Sequence, residues 1–271
     1  MVDIANHNNS WHLKLFEKSV LKQAKLKNLK KQLGNTENLT CLDLGSDNGV
    51  ISYYLREGGG NWFSADLSQE TVDSIRSLVK TQVSLIDKNL PYEDEFFDTV
   101  VVVDMLEHVE DEAHFVDELL RVLKKGGRLI INTPNLKPFS LLRLFRELVG
   151  QGDKEHGHLR PGYRDKRILE LAKNELSLKS SWTYSRFFSE LIDTAIVLAF
   201  RVVSSLKGNS VEEKKEEVSK GLVITEEKLR SLEKSFALYS LIYPVIKCVA
   251  SLDKLISFIP GYMRLVVLNK N

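Results

Sequence analysis

Two cysteines in 271 residues are too few for a disulfide framework. Cys41 and Cys248 lie in apolar stretches without metal-ligand spacing, so both are expected as buried thiols in a reducing compartment. An excess of one charge is also missing. The 38 Lys plus Arg against 37 Asp plus Glu leave a net charge of +1, which offers no global field for a nucleic-acid partner. The sequence shows no basic, aromatic-studded groove either, so nucleic acid is not favoured. The opening MVDIANHNNS is polar where a secretory leader needs an apolar core, and a cytoplasmic protein is expected. Internal repeats are absent. So is any uninterrupted apolar run of the roughly 20 residues that a spanning helix needs: Glu190, Asp193 and Arg201 break one late apolar stretch, and Pro244, Lys247, Asp253 and Lys254 break the other.

What is present is alternation. A Lys-rich helical pattern from Trp11 to Leu33 runs to Gly34, a natural stop. Short strands are then expected at Leu39 to Leu44, Asn61 to Asp66, Val83 to Ile86, Thr99 to Asp104 and Arg128 to Asn132. Helices are expected at Val50 to Glu57, Gln69 to Leu78 and Glu112 to Leu123. This order calls for parallel strands with crossover helices, and the run VVVVD is apolar enough for a strand covered on both faces. The prediction is a doubly wound α/β sheet. Beyond it come helices at Pro138 to Val149 and Arg164 to Lys173, separated by a Gly- and His-rich loop, and then a strand at Leu176 to Tyr184. Two apolar helices, Phe187 to Leu206 and Thr225 to Ile259, flank the charged linker KGNSVEEKKEEVSKG before a last strand in YMRLVVLNK.

The segment C-L-D-L-G-S-D-N-G, Cys41 to Gly49, ends the first strand and opens a helix. A strand ending in a glycine turn brings backbone N–H groups close to a ligand, and the next helix adds a positive dipole end. Asp66 ends the second strand at the distance where an acid accepts hydrogen bonds from ribose hydroxyls.

These residues resemble the class I S-adenosylmethionine-dependent methyltransferases, particularly the type 11 group, from about Leu39 to Asn135. LPYEDEFFDTVVVVDMLEHV and LLRVLKKGGRLIINTPN correspond to that group's later motifs. The resemblance implies a Rossmann-like, mostly parallel seven-stranded sheet with an antiparallel last strand. It divides the chain into an N-terminal basic helix (1–34), a methyltransferase domain (35–186 and 261–271) and a helical insertion (187–260). It also implies S-adenosylmethionine as cofactor, with Asp43 near the methionine amino group. Gly45, Ser46, Asp47 and Gly49 would shape the turn, Asp66 and Leu67 would lie at the ribose, Asp87 beside the adenine amino group, and Asp104 at the end of the fourth strand. Asp47 stands where many members carry glycine, which requires a turn that tolerates a side chain.

Methyl transfer is an in-line displacement, and a hydroxyl acceptor needs help in losing its proton. D-M-L-E-H places Asp104, Glu107 and His108 at the mouth of the sheet, and E-H-G-H-L-R-P-G-Y supplies His156, His158, Arg160 and Tyr163 in a loop able to fold over it. The pattern is similar to ubiquinone-pathway O-methyltransferases and small-RNA 2'-O-methyltransferases. That similarity implies Mg or a like ion on Asp104, Glu107, His108 and one loop histidine, His156 or His158. Two other readings stay open: a metal-free histidine base (His108, His156 or His158), or positioning only, with Asp104 capping the next helix and Glu107 as its capping-box partner. Glu107, Arg160 and Tyr163 are expected to face the substrate.

The layout after the fifth strand also resembles methyltransferases of bacterial cell-surface polysaccharide pathways. It implies O-methylation of a glycan or lipid-carried intermediate, against a quinone precursor as the enzyme alternative and a non-catalytic cofactor-binding protein as the alternative of another class. The basic helix, with Lys14, Lys18, Lys22, Lys25, Lys27, Lys30 and Lys31 beside an apolar stripe, either packs on the domain with its lysines in solvent or sits at an anionic membrane surface. The late helices either pack on the core or form a substrate lid, a homodimer face, or a peripheral patch on the inner face of the cytoplasmic membrane.

Overall fold

The computed structural model describes residues 11–46, 48–137, 141–148, 152, 157–206 and 233–271. Seven strands make one sheet: β1 (Glu37–Leu44), β2 (Gly59–Asp66), β3 (Val83–Leu85), β4 (Phe97–Val103), β5 (Leu123–Pro134), β6 (Leu176–Tyr184) and β7 (Met263–Lys270). Their order is β3-β2-β1-β4-β5-β7-β6. The first five run parallel, and β7 lies antiparallel between β5 and β6. The doubly wound sheet and antiparallel last strand are therefore as the sequence reading expected.

The run at Val100 to Val103 shows why the second half of β4 is apolar. Strand side chains alternate between faces. Val100 and Val102 join one core, with Leu42, Leu44, Leu129, Ile131, Val266 and Leu268. Val101 and Val103 join the other, with Cys41, Ile130, Leu265 and Val267. Helices α5 (Glu112–Val122) and α7 (Asp165–Leu171) cover the first face; α1 (Trp11–Glu17), α2 (Val20–Leu33), α3 (Val50–Leu55) and α4 (Gln69–Leu78) cover the second.

Several boundaries differ from the sequence reading. The N-terminal helix is two helices, because Ser19 leaves helical geometry and its hydroxyl caps α2 by accepting from Lys22 N at 3.3 Å. Gly34 does end α2, with φ +66°. Strand β5 is much longer than expected, since its first residues pair with the start of β4. Helix α6 covers Leu141–Leu148 of the expected Pro138 to Val149. The last long helix, α9, spans Glu233–Ser251 and gives way to a single 3-10 turn at Leu252–Lys254. With α8 (Phe187–Leu206) it lies between β6 and β7 in the chain. The first residues of its expected range and the KGNSVEEKKEEVSKG linker lie outside the described residues. Cys41 is buried as expected, and burial pushes its thiol up to about 12. Cys248 is exposed, a correction that follows from its place on the outer side of α9.

Candidate active site

Strand β1 delivers the glycine turn to the carboxyl edge of the sheet. Gly45 has φ +72°, and a Cβ there would stand 2.3 Å from the Val103 carbonyl oxygen, so only glycine lets β1 and β4 close up at this point. Gly49 begins α3. Asp47 lies outside the described residues.

Asp43 is held by the protein's own side chains. Its carboxylate is fully buried beneath the turn and accepts from Arg56 Nη1 at 2.9 Å, from Ser64 Oγ at 3.0 Å and from the Ser52 hydroxyl. The Ser46 hydroxyl joins through Ser52, and Arg56 also donates to Ser64 and Thr81 at 2.8 Å each. Asp43 thus braces the turn from below, because its position in β1 points it into the α3 face. Arg56, Ser52 and Ser64 were not singled out from the sequence. Arg56 opens the 3-10 turn that follows α3, four residues after Ser52, a spacing that carries no signal until β1 is laid beside it.

Asp66 ends β2 at the same edge, and its Oδ1 accepts from Ser68 N at 2.9 Å. Leu67 is exposed beside it. Asp87 is exposed in the turn after β3, which His114 holds through Asn89 Oδ1 at 2.9 Å and the Lys88 carbonyl at 3.2 Å.

Asp104 follows β4 with φ +46°, a left-handed geometry that Asp tolerates better than most residues. It caps no helix: α5 is capped by Asp111, whose carboxylate accepts from His114 N at 3.0 Å. Nor does it join the neighbouring histidines. Asn132 Nδ2 donates to its Oδ1 at 2.6 Å, and Lys25 from α2 forms an ion pair with its Oδ2. The Tyr184 hydroxyl donates to Asn132 Oδ1. Lys25, Asp104, Asn132 and Tyr184 thus link α2, β4, β5 and β6 across the mouth. The N-terminal basic region thus packs on the domain and brings Lys25 to the site.

Glu107, His108 and His158 do come together, each offering a ligand atom within 4.8 Å of the others. Glu107 is fully buried. Its Oε2 accepts from Thr133 Oγ1 at 3.1 Å, while its Oε1 has no hydrogen-bond partner among the described residues. Burial, reinforced by the Asp104 charge, pushes the carboxyl from 4.5 up to about 8. The His108 and His158 rings meet edge to face at 4.8 Å between centroids. His108 Nδ1 lies 3.1 Å from the Gly157 carbonyl oxygen. A carbonyl only accepts, so this contact places a proton on Nδ1 and leaves Nε2 of the neutral ring as the base or ligand atom.

The described part of the loop, from Gly157, packs against Glu107 and His108. Gly162, at φ +122°, lets the loop pass the Pro134 carbonyl, which a Cβ would meet at 2.3 Å. Leu159 N donates to the Glu107 carbonyl at 2.9 Å. Arg160, expected at the substrate, donates to the Val109 carbonyl, to the Glu110 carbonyl at 2.7 Å, and pairs with Glu112 at 3.1 Å. Tyr163 is buried and donates to Glu112 Oε2 at 2.6 Å and the Leu106 carbonyl at 3.1 Å. Both are struts, since their polar atoms are turned to the protein's own acceptors. His156 lies outside the described residues.

Residues 42–131 match the type 11 methyltransferase domain family. A ubiquinone biosynthesis O-methyltransferase of Hydrogenovibrio crunogenus is 33% identical over 139 residues, 46% of this chain and 58% of that protein. The chain spans about half the length of the curated relatives it matches. Among solved structures, the YcgJ protein of Bacillus subtilis has a TM-score of 0.55 at 14% identity, covering 92% of this chain and 98% of that one. Phosphoethanolamine N-methyltransferase 2 of Haemonchus contortus, in complex with S-adenosyl-L-methionine, has 0.55 at 16%, covering 92% and 52%. At these identities the structural likeness speaks for the fold, a Rossmann-like methyltransferase fold, while residues 42–131 carry the sequence match to the type 11 methyltransferase domain family.

Proposed function

We propose that the chain is an S-adenosylmethionine-dependent methyltransferase that methylates an acceptor hydroxyl beside Glu107, His108 and His158. The observation that carries this reading is the single carboxyl edge on which Gly45, Asp66 and the Glu107–His108–His158 cluster lie, within or beside the matched domain. When bound, the donor supplies a sulfonium methyl. The chain's part is to receive the ribose at Asp66, to close the turn at Gly45, and to align the acceptor with an imidazole able to take its proton.

For the acceptor we favour a glycan or lipid-carried intermediate, with the α8–α9 insertion flanking the mouth. The named relative supports a second reading, a quinone precursor. Mg is not part of the proposal. Mg favours all-oxygen octahedral surroundings, whereas this donor set is two imidazoles and one raised carboxyl, with Asp104 taken by Lys25. The reading is a metal-free histidine base, with Zn the ion the cluster would suit better.

Calorimetry with S-adenosylmethionine and its demethylated product tests the first half, with micromolar binding expected. Release of the demethylated product in the presence of glycan-lipid or catechol acceptors tests the second. Binding without turnover on any acceptor would leave a non-catalytic cofactor-binding protein.

A further inference from the structure

We propose that the outer face of α9 and the turn after it is a docking surface for an anionic lipid bilayer. On α9, Leu238, Leu241, Ile242, Val245 and Val249 are exposed and recur at helical spacing, so they form one face. The face continues past the helix, where Leu255 and Phe258 keep 74% and 81% of their surface in solvent beside Ile259. Exposed Phe187 at the start of α8 extends it, because Arg186 ties that start to the Ser257 and Ile259 carbonyls at 3.0 and 2.8 Å.

The charges on this surface select the occupant. Within residues 236–260 the only acid is Asp253, and it is turned inward, accepting from the backbone N–H groups of Arg186, Phe188 and Ser189 at the start of α8. The exposed charges there are Lys247 and Lys254. Within this stretch the exposed charges are cations alone, which suits anionic headgroups. A two-fold contact with a second copy would instead press this face against its own cations with no acid opposite.

Phe236–Lys254 is long and apolar enough to cross a membrane by composition. Its inner side, however, is committed to the protein. The Tyr239 hydroxyl donates to the Lys18 carbonyl, Lys18 Nζ lies 5.3 Å from the Tyr243 ring centre, and Ala250 is buried. A helix packed along one side lies in the interface plane rather than through the bilayer.

The surface also flanks the site. Asn135, next to β5, is held by Gly261 and Tyr262 at 2.8 and 2.7 Å, and Tyr184 at the end of β6 reaches Asn132. Docking therefore brings the mouth to the headgroup level, which rests on the proposal of a lipid-carried acceptor for its purpose but not for its test.

Cys248 is exposed on this face and Cys41 is buried, so a polarity-sensitive fluorophore labels one position of the full chain. Phosphatidylglycerol-containing vesicles should shift its emission to the blue and co-sediment the unlabelled protein, less so at high salt, while phosphatidylcholine vesicles should do so weakly. Lys247→Glu with Lys254→Glu should weaken binding to the anionic vesicles roughly tenfold or more. Leu255→Glu with Phe258→Glu, both exposed, should abolish it while leaving donor binding intact. The proposal fails if no vesicle shifts the probe, or if the shift grows with protein concentration alone, which would mark a second copy. It also fails if binding appears only after removal of residues 207–232, which would make that highly charged segment the occupant. None of these readouts involves turnover, so failure here leaves methyl transfer standing.

Discussion

Replacing Glu107 by glutamine should make the protein more stable at neutral pH, by an amount that depends on pH in a defined way. The buried carboxyl accepts one hydrogen bond from Thr133, and burial with the nearby Asp104 charge raises it from 4.5 to about 8. A carboxyl raised in this way favours the fold fully below its unfolded value, and that contribution is lost as pH climbs toward the folded value. At about 1.4 kcal/mol per pH unit, the loss is about 3 kcal/mol by pH 7 and levels off near about 5 kcal/mol above pH 8. An amide of the same shape keeps the Thr133 contact and never ionises. Urea unfolding of wild type and Glu107→Gln between pH 5 and pH 9 should therefore give a stability difference that grows from near zero to several kcal/mol and then flattens. A difference independent of pH would refute the reasoning, because Glu107 would then be ionised in the fold much as it is in the unfolded chain. Turnover should move the other way if this carboxyl meets the acceptor, the usual conflict between a stable site and a working one.

Arg56→Leu should strip Asp43 of its buried counter-ion and cost about 3 to 5 kcal/mol in urea unfolding, part of which Asp43→Asn should restore in the double variant. Asp66→Ala should lower calorimetric affinity for the demethylated donor roughly tenfold or more, the loss of charge-assisted hydrogen bonds worth about 1.5 to 3 kcal/mol, and unchanged affinity in a folded variant would remove Asp66 from the site. His158→Ala should cut turnover far more than donor affinity. A chelator should leave the wild-type rate intact, and a rate lost to chelation and restored by Zn would replace the histidine-base reading with a metal one.

What the sequence by itself determined is the part ruled by local period and short spacing. Apolar runs of strand length alternating with helical stretches specify the parallel sheet, VVVVD specifies a strand buried on both faces, and the glycines at 45 and 49 mark a turn that only their backbone freedom allows. Glu107 and His108 were legible as mouth residues because they follow β4 directly, and His158 because its loop returns there. The tertiary structure alone decided which polar groups are already spent. Asp43 is consumed by Arg56, Asp104 by a lysine 79 positions earlier, and Arg160 and Tyr163 by Glu112 and backbone carbonyls. A motif names an acid or an arginine, but its partner is chosen by whichever distant element packing brings within 3 Å. The late helices show the same division. Their apolar composition is plain in the sequence, yet the choice between core and surface was made by Tyr239, Tyr243 and Asp253 anchoring one side of α9 to the protein and turning Leu241, Leu255 and Phe258 outward.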